Sequence, residues 1–519
     1  MGGCVVLVAI GVLSTYADSL AFAGNGHSPV PFARLTTPEH QGASGPFRPH
    51  YEMQVAQNGT RLRIKACFGG RGLAELIPGE PFGRPYLRQS KRYRREQVQE
   101  WSFSARGISF PKQDGPFCVL YEIDLEAALQ SAGARVAERI GGAISLDPDL
   151  FLYRPARLSS IRAATMAICV PQDWSVSVPW PDLTPQERVF PNVDCVPDKE
   201  RGLEYLLQPS VFLRRGRVFI GAFPQRQVQV GQTTFAIALL NGPGMQGRGI
   251  ENWLRKSARA VEQIYGDFPR KRVQVSLRFT PGSGAHFGMV FRAGGVGAHF
   301  WLGEKTRASD LRHDWVGVHE LSHLSLPFIR TSEPWLSEGI ATYYQYLLQA
   351  RAGWISEAEF FSRLVGGIRS ATAGSQESLR DAAAKMAHSG GYRRVYWGGA
   401  SLIWLADVAL RVRSENRASL DVALERLSGC CMPSERRWTA QALYRKLDEL
   451  TGNSAFEDVF TAHLDRRSPP PLDELLNKLG IAYRQGRVEL RDHAPWAHIR
   501  RAMVAPVKRE APIEVRQAH

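Results

Sequence analysis

Val318-His319-Glu320-Leu321-Ser322-His323 is the run from which the rest of the chain is read. On a helix, His319 and His323 stand one turn apart on the same face, so both imidazoles can reach one metal ion. Glu320, next to the first of them, is aimed at the ion's open position. By composition such a run arises by chance in about a few per cent of chains this long, so its flanks matter. Trp315, Val316, Val318, Leu321, Leu324 and Leu326 make the helix apolar around its polar triplet. Three polar groups in a buried helix need partners, and a zinc ion satisfies both imidazoles while leaving a place for a water molecule.

A third protein ligand is expected on the next apolar helix, Trp335-Leu336-Ser337-Glu338-Gly339-Ile340-Ala341-Thr342-Tyr343-Tyr344. Among Trp, Leu, Ile, Ala and Tyr an unpaired carboxylate would be costly, which selects Glu338. Glu333, before Pro334, reads as a charge at the start of that helix. His313 and Asp314 read either as a pair that orients a ligand or as the start of the motif helix.

The stretch Pro334 to Phe360 resembles the second helix of the gluzincin metallopeptidases, and within them of the glycyl aminopeptidase family. The shared features are Glu338-Gly339, Tyr343-Tyr344, Leu347-Leu348, Arg351-Ala352-Gly353 and the acidic segment Glu357 to Phe360. The resemblance extends weakly from about Tyr51 to Leu479. It implies a thermolysin-like catalytic domain, one zinc per chain and a peptide or protein substrate, with Glu320 as general base. Tyr396-Trp397-Gly398-Gly399-Ala400 looks like the Y-x-x-G segment that follows in such enzymes, which makes Tyr396 the candidate oxyanion donor. Tyr392 competes for that role, and packing among Trp397, Leu402 and Trp404 is the alternative for Tyr396.

The chain departs from the family in three places. Its glycine-rich stretch Gly294-Gly295-Val296-Gly297-Ala298-His299 lacks the acid that the family uses on a substrate's free amino terminus. Aminopeptidase specificity is therefore not expected to follow, and an endopeptidase or an unusual exopeptidase is an equal expectation. Only fourteen residues separate His323 from Glu338, enough for a short turn between two helices. The PDZ domain common at the family's C-terminus has no room after Leu479. A different class of protein, a zinc-containing envelope binding or scaffold protein without turnover, stands as the alternative, and the intact Glu320 argues against it.

Size and composition agree with an exported enzyme. The chain has 519 residues, 44% hydrophobic and 22% charged, ordinary globular values for a protein of two or three domains. Cys4 to Leu13 is a short apolar run before Ala21-Phe22-Ala23, the pattern of a signal peptide over residues 1–23, although no basic residue precedes it. The expected location is periplasmic or extracellular, with no transmembrane segment in the mature chain. Six further cysteines, Cys67, Cys118, Cys169, Cys195, Cys430 and Cys431, permit disulfides whose pairing the sequence does not give. The net charge of +15 and the cluster Arg88 to Arg95 suit attraction to anionic envelope polymers, and no nucleic-acid motif accompanies them.

The expected fold is multidomain α+β. Residues 24–245 form an N-terminal, antiparallel, β-sandwich-like domain, with a hairpin at Asn58-Gly59 and a helix from Leu125 to Ile140. Residues 246–466 form the mainly helical catalytic domain, opened by a helix from Ile250 to Tyr265 and a strand from Val273 to Phe279. Residues 467–519 form a Pro-led short helix, Leu472 to Leu479, and a basic, weakly patterned tail.

Overall fold

The protein is described by a computed structural model. It describes residues 48–506 except 57, 70, 95–96, 101, 104–105, 115, 157–162, 185–194, 196–199, 213–215, 243–248, 293 and 433–436. The expected signal segment and the end of the tail lie outside these residues. The chain divides into two compact units, the first comprising residues up to 139, 144–176 and 180–222, the second 140–143, 177–179 and 223–519.

The first unit is β-rich, as expected. Its main sheet has seven strands in the order Glu200–Leu207, Ala164–Pro171, His50–Val55, Arg61–Phe68, Phe117–Asp124, Leu87–Arg94 and Gln97–Glu100. Asn58 and Gly59 make the expected hairpin turn, Gly59 at φ +66° and the Asn58 side chain accepting from the Thr60 amide. The sheet is mixed rather than purely antiparallel, because His50–Val55 pairs parallel with Ala164–Pro171. No hairpin fixes the direction of a strand that returns from so far along the chain, so local sequence does not show it. The helix expected over Leu125 to Ile140 ends at Ser131; Gly133, at φ +77°, turns the chain, and Ala137–Ile140 is a strand. Cys67 pairs with Cys118 across neighbouring strands, and Cys169 pairs with Cys195.

The second unit opens with a five-stranded sheet in the order Gln225–Val230, Thr233–Leu239, Arg272–Thr280, Gly297–Gly303 and Ala285–Phe291. The first two strands, which the sequence reading placed with the N-terminal half, belong here because Thr233–Leu239 pairs parallel with Arg272–Thr280. The helix Gly249–Glu262 is the crossover that such a parallel pair requires. It ends at Glu262, short of the expected Tyr265, and a turn follows to Gly266, whose amide reaches back to the Glu262 carbonyl with φ at +91°. Ala285–Phe291 runs antiparallel along one edge of the sheet.

Helices follow. The motif helix, Val316–Ser325, is buried along its whole length. The ligand helix, Pro334–Arg351, crosses the long helix Tyr392–Arg413. A buried ionic cluster ties these helices together. Arg351 donates twice to Asp421, at 2.9 and 2.7 Å, and the Tyr344 hydroxyl donates to the same carboxylate at 2.9 Å. The Tyr343 hydroxyl donates to Asp407 at 2.7 Å, and Arg411 pairs with that carboxylate at 3.1 Å. The two arginines hold Asp421 below the usual carboxylate range although burial works against its charge.

The C-terminal stretch is more structured than its composition suggests. After the helix Asp473–Leu479, the strands Ile481–Arg484 and Arg487–Leu490 form a hairpin through Gln485 and Gly486, both at positive φ. The helix Ala497–Val504 then buries Arg500, whose guanidinium donates to Glu357, Asp492 and the carbonyls of Leu479, Gly480 and Arg491. A fully bonded arginine can sit in a core, which composition alone does not reveal. Cys430 and Cys431 are joined to each other. Among the described residues no helix is long and apolar enough to cross a membrane.

The ionic cluster makes a testable statement about stability. Removing one partner leaves buried charge without its counterpart, so Asp421→Ala is expected to cost about 3–5 kcal/mol. Equilibrium denaturation of the purified protein, wild type beside variant, measures it.

Candidate metal centre

Asp314 starts the motif helix: its carboxylate accepts from the amides of Val316 and Gly317 at 3.2 and 2.8 Å and from the Trp253 indole at 2.9 Å. Of the two readings of Asp314, the structure shows the helix start. Gly317 lets the helix approach its neighbour closely, since a methyl there would lie 2.6 Å from Ser257 Oγ. The connection to the ligand helix is short and pinned, with Trp438 exchanging backbone hydrogen bonds with Phe328 and Arg330. Glu333 does not cap its own helix; its carboxylate accepts from the Ala440 amide, at the start of another helix, Ala440–Thr451.

This framework brings His319, His323 and Glu338 together. The three offer ligand atoms that all lie within 4.8 Å of one another. Glu338 Oε2 stands 3.2 Å from His319 Nε2 and 3.2 Å from His323 Nε2. Donors placed about 2.1 Å from a tetrahedral zinc ion stand about 3.4 Å apart, so the set matches that ion in number, type and spacing. Both imidazoles are almost fully buried, at 2% and 5% exposure. Burial opposes the Glu338 charge, but the two histidines outweigh it and hold the carboxyl well below its usual range.

The surrounding groups bear on which ring nitrogen is free. Gln345, two turns beyond Glu338 on the same helix, has its carbonyl oxygen 2.8 Å from His319 Nδ1. That contact keeps the proton on Nδ1 and leaves Nε2 open to a metal. His323 Nδ1 has Arg292 Nη2 at 3.1 Å and Ser337 Oγ at 3.4 Å. A guanidinium only donates, so Nδ1 accepts from Arg292 in this arrangement and the ring proton lies on Nε2, towards Glu338; binding a metal at Nε2 requires that proton to leave it. Arg292 also donates to the Pro327 carbonyl at 2.8 Å, and burial lowers its pKa to about 10.

Glu320 points from the motif helix towards the edge strand. Gly288 of that strand lies so close to the Glu320 side chain that any Cβ there would overlap it. The strand beside Glu320 is thus Ala285–Phe291. His299 lies one strand further in, buried and hydrogen-bonded to Ser276. The edge strand reads Ala285, His286, Phe287, Gly288, Met289, Val290 and Phe291, and it too carries no acid. Tyr396 stacks its ring on His319 at 5.8 Å and 8°, and Tyr392 meets the edge of Tyr396 at 6.4 Å. The Tyr396 hydroxyl is held well above the usual phenol range by burial first and then by Glu338 and Glu320, so it keeps its proton. Gln345, Ser337, Arg292 and Gly288 were not found from sequence. Only Gln345 left a signal, its seven-residue spacing from Glu338.

Residues 298–398, which hold the motif helix, Glu338 and Tyr396, match the M61 glycyl aminopeptidase family. Over these residues the chain is similar to that family's peptidase domain. Over most of its length the fold is shared with solved structures. A structure of an aminopeptidase N family protein from Idiomarina loihiensis is 13% identical, covering 83% of this chain and 78% of that one, with a TM-score of 0.62. A two-domain M1 zinc metallopeptidase with bound L-arginine is 16% identical, covering 82% of this chain and 95% of that one, at 0.51. A variant of the M1 zinc metallopeptidase from Deinococcus radiodurans, bound to a Tyr-Ser-Ala substrate, gives the same identity and coverage at 0.50. No curated protein matches this chain by sequence.

Glu320 links the site to stability. Burial raises its pKa, opposed by His319 and reinforced by Glu338, to about 7. The unfolded value is about 4.3, so between these values the folded state binds the extra proton and stability falls as pH rises. Glu320→Gln removes that penalty. In the metal-free enzyme the variant is expected to melt a few degrees above wild type at pH 8 and much closer to it at pH 5, by calorimetry.

Proposed function

We propose that the chain hydrolyses peptide bonds using one zinc ion held by His319, His323 and Glu338, with Glu320 as general base. The observation that carries this reading is the convergence of three matched donors beside a buried carboxylate that is not one of them. Zinc bound there supplies an acidified water and polarises the carbonyl under attack. Glu320, with a pKa near the working range, accepts the proton of that water and passes it to the leaving amine. Tyr396, which keeps its proton, donates a hydrogen bond to the oxygen where negative charge develops.

The substrate reading follows from what borders Glu320. A free amino terminus needs a carboxylate to hold it, and the strand beside Glu320 has none. The exposed large apolar side chains of the described residues are Phe287 and Met289, on this strand, and Trp315, next to His319. These features favour the interior of an extended, apolar peptide over its amino end. The same reading places the chain outside the cytoplasm, supported by the N-terminal apolar run and by three cystine pairs.

Zinc content and peptide hydrolysis, measured on the same samples, test the core reading. Wild type should hold one zinc, His323→Ala should lose metal and activity together, and Glu320→Gln should keep its metal with kcat lowered about 10²–10⁴-fold. Stoichiometric zinc without hydrolysis of any peptide would favour a zinc-containing binding or scaffold protein. Peptides with acetylated amino termini should be cut at least as fast as their free counterparts; cleavage confined to free amino termini would restore the aminopeptidase reading.

A further inference from the structure

The ligand helix and the helix that carries Tyr396 cross at two glycines. A methyl group built on Gly339 would lie 2.5 Å from the Gly399 carbonyl carbon and 2.7 Å from its Cα. One built on Gly399 would overlap the carbonyl oxygen of Trp335. Neither glycine has positive φ, so backbone freedom does not call for them. What they supply is space: a side chain at either position would have to meet main chain, which cannot swing aside. Carbon atoms need about 3.5–4 Å, so the smallest side chain would part the helices by about 1 Å or more.

The crossing lies where the site is most sensitive to such a shift. Gly339 follows Glu338 directly, and Gly399 lies three residues, less than one helical turn, from Tyr396. The Tyr396 ring rests on His319, and Glu338 is among the groups that perturb its hydroxyl. The separation between ligand and hydroxyl is thus set by how closely these two helices approach. We propose that Gly339 and Gly399 are positioning residues whose missing side chains hold the Tyr396 hydroxyl at the reacting carbonyl. The proposal rests on the oxyanion role given to Tyr396.

Gly398 supplies a control on the same helix. A methyl there meets the ends of two side chains, Arg394 and Leu379, and no main chain. Alanine at either position also favours the helix, so propensity does not separate them. The experiment compares Gly399→Ala, Gly339→Ala and Gly398→Ala with Tyr396→Phe and the double variant Gly399→Ala/Tyr396→Phe, following zinc content, folding, kcat and KM. Misplacement of about 1 Å at a reacting centre lowers rates by up to about 10²-fold. Gly399→Ala and Gly339→Ala are expected to lower kcat about 10–100-fold with zinc retained and KM little changed, while Gly398→Ala stays near wild type. Adding Gly399→Ala to Tyr396→Phe should cost no more than Tyr396→Phe alone, because both remove the same interaction.

Additive losses in the double variant would overturn the proposal, as would loss of zinc or of folding in both Gly399→Ala and Gly339→Ala, since the crossing would then serve the metal site or the fold. Unchanged kcat in Tyr396→Phe removes the oxyanion role itself. A lowered kcat in Tyr396→Phe beside unaltered glycine variants removes only the present inference.

Discussion

Three electron-pair donors and a further carboxylate, Glu320, inside two apolar helices set the problem that the rest of the second unit answers. A buried carboxylate costs several kcal/mol unless it is paired. Here Glu338 is paired twice, with one oxygen 3.2 Å from each of two imidazoles. That arrangement requires the motif helix and the ligand helix to hold a fixed separation. The turn anchored on Trp438, the cap at Asp314 and the close approach at Gly317 all serve it. Glu320 is left as the carboxylate without a partner cation in contact, and burial raises its pKa to about 7.

Behind the site, the ligand helix is held from its far side by charge. Tyr343 and Tyr344 turn their hydroxyls to Asp407 and Asp421, and Arg351 and Arg411 neutralise those acids. A buried cluster of this kind is weak evidence for net stability, yet breaking it is costly, so it resists any change in helix register. The same helix therefore carries a metal donor at its start and a structural ion pair at its end. The resemblance that first drew attention to Tyr343-Tyr344 and Arg351 is explained by this packing role, away from the chemistry.

Several residues that the sequence did not mark lie around the metal donors because the sheet brings them there. Gly288 is opposite Glu320 only because Ala285–Phe291 is the edge strand and lies along the motif helix. Arg292, just past that strand, reaches His323 from a position thirty-one residues away. The glycine-rich stretch leads into the next strand in, which carries His299. Spacing along the chain cannot distinguish an edge strand from its neighbour, since both alternate in the same way.

Local periodicity determined what depends on neighbours within one turn or one hairpin. The placing of His319 and His323 on one helix face, the polar Glu338 in an apolar helix, the Asn58-Gly59 turn and the turn at Gly266 all follow from short-range sterics and burial. Tertiary structure alone decided what depends on distant segments meeting. The parallel pairing of His50–Val55, the strands from Gln225 to Leu239 that belong with the catalytic sheet, and the burial of Arg500 in the C-terminal stretch are of this kind. The physical reason is that a strand's direction, a helix crossing and a cation's burial are set by the groups they pack against, and those groups lie far away in the sequence.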